Sequence, residues 1–92
     1  MRLEDALFNW LQMHIVSEAR PDDRAASDTR DFFLQILNED HHIVKVGVAQ
    51  TDDAMIHVIY ETDGGSQTRL IPREAAEQLL ADIVSNPKYN EQ

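Results

Sequence analysis

The stretch HIVKVGVAQTDDAMIHVIYETDGGSQTRLI, residues 42–71, decides the fold. Its hydrophobic period is 2. From His42 to Ala49, Val44, Val46 and Val48 alternate with Ile43, Lys45, Gly47 and Ala49. From Ala54 to Glu61, Ile56, Val58 and Tyr60 alternate with Met55, His57, Ile59 and Glu61. Successive side chains of a strand point to opposite faces, so both segments are predicted strands, each with one apolar face. Thr51-Asp52-Asp53 supplies the turn between them. Asp63-Gly64-Gly65-Ser66 is a stronger turn, because glycine takes positive φ freely. A shorter strand is predicted from about Gln67 to Ile71. Three-residue loops at both turns place Val48 opposite Ile56, Val46 opposite Val58, Val44 opposite Tyr60, and Val58 opposite Leu70. That register makes one sheet face wholly apolar.

On either side of this stretch the period is near 3.6. Leu3, Leu7, Trp10, Leu11, His14 and Ile15 share a face, with Phe8, Met13 and Val16 widening it, and predict a helix from Leu3 to about Glu18. Pro21 breaks it, and Pro21-Asp22-Asp23 suits the start of a second helix running to about Asn38. Ser27 and Asp28 offer a later start. A last helix is predicted from Pro72 to about Asn86, with Ala76, Leu79, Leu80, Ile83 and Val84 inward; Asn86-Pro87 stops it. The expected fold is α+β in two layers, order α-α-β-β-β-α, with a three-stranded antiparallel meander packed against helices. Residues 1–87 form one domain, and residues 88–92 are expected to be a polar, frayed tail.

Composition narrows the function. The chain has 92 residues, no cysteine and a formal charge of −9. Without cysteine there is no disulfide framework, thiol nucleophile or thiolate metal site. Nine acids and four bases fall in residues 1–42, eight and four in residues 43–92, so the acidity is even and suggests solubility. With lysine only at positions 45 and 88 there is no basic stripe for phosphates, so nucleic acid is not an expected partner. No apolar run approaches the ~20 residues of a membrane span, and the N-terminus lacks the pattern of a signal peptide. A cytoplasmic, unprocessed protein without membrane contact is expected.

No stretch carries a catalytic signature, and no cofactor is expected. His41 and His42 follow Glu39 and Asp40, ligand types that can bind transition metals, but neighbours at a strand start point to opposite faces. Asp52-Asp53 lacks the spacing of a calcium loop, and the Gly64-Gly65 turn joins two strands rather than a strand and a helix, as a phosphate loop requires. Of the aromatic residues Trp10, Phe32, Phe33 and Phe8, the last is the expected exposed one. The informative surface is the outer sheet face, which in this register carries Ile43, Lys45, Met55, His57, Ile59, Glu61, Arg69 and Ile71. A solvated face should be mostly polar. This one is expected to be a dimer or partner surface, or to be covered by the chain's own last helix or a terminus. The leading expectation is a non-catalytic protein–protein interaction or regulatory module, homodimeric. The alternatives are a small ligand- or metal-binding domain or enzyme using His57 or His41/His42 with nearby carboxylates, and an acidic mimic of nucleic acid.

Overall fold

The computed structural model describes residues 1–86; the expected tail at 88–92 lies outside them. Three helices and three strands follow the expected order: α1 (Leu3–Ala19), α2 (Arg24–His41), β1 (Lys45–Thr51), β2 (Met55–Thr62), β3 (Gly65–Pro72) and α3 (Arg73–Ser85). The strands form one antiparallel sheet in the order β1-β2-β3.

Helix α1 is the centre of the helical layer. It packs against both α2 and α3, and its apolar arc is accordingly broad. Ala6, Leu7, Trp10 and Leu11 join Ile56, Val58 and Tyr60 of β2, Ile71 of β3, Ala76 of α3 and Leu37 of α2 in one core. Phe8 packs against that core and is half-buried; among the described aromatic residues the exposed one is Phe32 on α2, at 56 %. The expectation for Phe8 is thus corrected, because α1 is flanked on both sides whereas α2 turns one side to water.

Helix α2 begins later than Pro21 suggests. Asp23 is its N-cap, accepting the Ala26 N–H at 3.1 Å. It also runs past Asn38, through His41, and closes with His42 in the left-handed region at φ 57°. The His42 N–H reaches the Asn38 carbonyl at 3.0 Å and the Ile43 N–H the Leu37 carbonyl at 3.1 Å. His42 and Ile43 therefore belong to a helix closure, not to a strand. The closure turns Ile43 into the core, where it is 2 % exposed.

The strand registers also differ from expectation. Lys45 pairs with Glu61, Val46 with Tyr60, Gly47 with Ile59 and Val48 with Val58. An irregularity at Ala49 then shifts the ladder, so that Gln50 meets His57 and Thr51 meets Ile56. At the second turn Thr62 pairs with Gly65, leaving only Asp63 and Gly64 between them. Gly65 has the positive φ, +123°. A loop one residue shorter than expected reverses the faces of β3. Ile71 now meets Ile56, and Arg69 meets Val58, both on the helix-facing side. Leu70 moves to the outer face, opposite His57.

Candidate functional site

Three of the residues assigned by sequence to the outer face belong elsewhere. Ile43 and Ile71 are in the core, 2 % and 9 % exposed. Arg69 reaches toward α1, its Nη1 3.4 Å from the Glu4 Oε1. Lys45, Met55, His57, Ile59 and Glu61 do share the outer face, and the register adds Ser66, Thr68 and Leu70 to them. Leu70 was legible only through the length of the Asp63-Gly64 loop. A two-residue Asp-Gly connection is a strong hairpin signal, and it fixes which residues of β3 point outward.

The face keeps an apolar centre in water. Ile59 is 38 % and Leu70 55 % exposed. Ile59 stands opposite Thr68 and His57 opposite Leu70, so the two aliphatic side chains are diagonal neighbours on adjacent strands. Beside Ile59, Gly47 leaves open space where a Cβ would stand. The result is a shallow hollow of about 200 Å³, lined by Lys45, Val46, Gly47, Ile59 and Glu61. Lys45 and Glu61 are cross-strand partners and the face's one cation and one carboxylate away from the turn. Glu61 also accepts the Ser66 hydroxyl at 3.3 Å. In a chain of charge −9 this face is close to neutral.

At the turn end of the same face, His57 Nε2 lies 2.9 Å from Asp52 Oδ2. The other oxygen of Asp52 accepts the Ala54 and Met55 N–H groups at 3.0 and 2.7 Å. These bonds, the one from His57 foremost, hold the Asp52 carboxyl well below its ordinary range, at about 2. An ionised Asp52 fixes the ring of His57 and closes the β1–β2 turn. Among the described residues no three His, Cys, Asp or Glu side chains converge as a metal site. His41 Nε2 lies 2.8 Å from the Met1 carbonyl oxygen, and His42 is the exposed closure of α2, so neither is brought to His57. His14, on α1, is half-buried and stacks on Trp10 with ring centroids 4.8 Å apart.

No helix of the described residues is long and apolar enough to cross a membrane. The chain matches no family model, no curated protein and no solved structure.

Proposed function

We propose that this chain is a non-catalytic protein–protein interaction module, homodimeric, whose outer sheet face is the surface it offers to another protein. The observation that carries the reading is the pair Ile59 and Leu70, exposed side by side on a sheet face that no described helix covers. Antiparallel sheets that face water on one side normally present polar residues there. Exposed aliphatic groups at the centre of a patch, with Lys45, Glu61, Ser66 and Thr68 around them, follow the layout of an apolar core and polar rim found at protein interfaces. Near-neutrality adds to this. A chain of −9 repels its own copies most weakly where its carboxylates are fewest.

The reading is tested by light scattering across the micromolar range. A dimer is expected at high micromolar concentration, and a strict monomer there would overturn the homodimer. For the face itself, Lys45 serves as a reporter: its acetylation by a soluble reagent should slow when the face is engaged by protein. A rate unchanged in the presence of a bound partner would show that another surface is used.

A further inference from the structure

We propose that two copies join through the free edge of β3, antiparallel, so that two three-stranded sheets become one of six. The inference rests on the homodimer of the preceding reading and names how it is built.

The geometry begins at Pro72. It pairs with Met55 but has no N–H to give, while the next residue, Arg73, donates its N–H to the Ala54 carbonyl at 2.9 Å. Met55 and Pro72 are therefore a non-hydrogen-bonded pair. Such pairs alternate with hydrogen-bonded ones along an antiparallel ladder, so His57–Leu70, Ile59–Thr68 and Glu61–Ser66 are of the same kind. The main-chain N–H and C=O groups of Ser66, Thr68 and Leu70 consequently point away from β2, out of the sheet. β3 is the last strand in the order, so among the described residues no strand receives them. All three residues are exposed.

The two edges of the sheet are not equivalent. β1 carries the irregularity at Ala49 and the exposed Lys45, two devices that discourage strand addition. β3 pairs with β2 over eight residues without a shift; like β1, it carries no acidic side chain. Both edges are acid-free, which lowers repulsion between copies of a −9 chain at either one, and the unbroken ladder of β3 is what favours it.

One register satisfies the edge. A two-fold axis at Thr68 sets Thr68 against Thr68 of the second copy and Ser66 against Leu70. Each outward-pointing residue then meets another, and each pair can exchange both main-chain bonds. Arg69 meets Gln67 on the helix side, and no like charges oppose. An axis at Gln67 would set Leu70 against the turn residue Gly64. One at Arg69 would oppose two guanidiniums and set Ser66 against Pro72, which has no N–H.

The joined sheet also addresses the size of the outer face. Three strands about 4.8 Å apart, each about 25 Å long, cover roughly 350 Å². A stable interface takes about 800 Å² from each partner. Joining the sheets doubles the flat footprint of the outer face to roughly 700 Å².

The absence of cysteine makes the test direct, since an introduced thiol is unique in the chain. In the proposed register the Thr68 α-carbons of the two copies lie about 5.5 Å apart, within disulfide reach. Those of Ile59 lie three strand spacings apart, about 14 Å, beyond it. Under mild oxidation Thr68→Cys should become a covalent dimer, with Ile59→Cys remaining monomeric in a denaturing gel. Thr68→Lys should lower the dimer fraction at least tenfold while its circular dichroism and Trp10 fluorescence match the parent. Cross-linking at Ile59 and not at Thr68 would overturn the edge contact but keep the homodimer, now face to face. A parent chain monomeric at high micromolar concentration would overturn both.

Discussion

His14 shows how one side chain couples packing to pH. It lies on the inward stripe of α1, stacked on Trp10. Burial lowers its pKa from the ordinary 6.5, against a smaller opposite pull from Glu18 at 3.9 Å, while Arg30 pushes the same way as burial. Glu18 is largely exposed, so water screens its attraction. A histidine whose folded pKa is depressed keeps the fold in its neutral form. The unfolded chain takes up the proton first, so stability is full above pH 6.5 and declines as pH falls through 6.5 toward the folded value. Urea unfolding from roughly pH 7 to pH 5 should show that decline, and His14→Phe, which keeps a ring on Trp10, should flatten it. An unchanged slope in the variant would assign the effect to another group. Asp52 acts in the same direction at lower pH, although there the fold keeps the charged form. Its carboxyl, depressed from 3.8 to about 2, contributes above pH 3.8 and loses that contribution as pH falls toward 2.

At the scale of the element, the closure of α2 sets where the sheet starts. Asn38-Glu39-Asp40 has the composition of a helix stop and the valine alternation starts near His42, which in the sequence places the helix end at Asn38. The chain instead continues helical to His41 and turns through a left-handed residue that is not glycine. That conformation crowds a Cβ against its own carbonyl, although histidine visits it more often than most residues. His42→Gly is expected to stabilise the protein by about 0.5–1 kcal/mol, read as a higher urea midpoint with an unchanged slope. The gain is net of the added freedom glycine gives the unfolded chain. A destabilised variant would mean that the imidazole makes a contact worth more than the strain. β3 teaches the same lesson about connections. Its alternation was visible, but its faces depended on a loop of two residues rather than three. That single residue decided whether Leu70 or Ile71 entered the core.

For the whole molecule, charge and surface act together. The carboxylates are spread over the chain, whereas the outer sheet face and the β3 edge are nearly free of them. Association through such a region is opposed by long-range repulsion between two copies of charge −9, and salt screens that repulsion over about 10 Å at 0.1 M. The dimer dissociation constant should therefore fall as sodium chloride is raised from low to moderate concentration, as sedimentation measures. A constant that rises with salt would point to an interface held by ion pairs, such as one between Lys45 and Glu61 of different copies.

The amino-acid sequence by itself determined the elements and their order. Period 3.6 and period 2 are local properties, written in the spacing of residues such as Leu7, Trp10 and Leu11, or Ile56, Val58 and Tyr60. They also fixed the packed side of β2, because alternation in that strand has no competing reading. Only the tertiary structure decided which residues reach the outer face. Ile43 was drawn inward by the left-handed closure at His42, Arg69 and Ile71 by the two-residue turn, and Leu70 was turned out by the same shift. The physical reason is that strand facing is a parity. One residue more or less in a connection reverses it, and connection length is settled by how the whole sheet meets the helices.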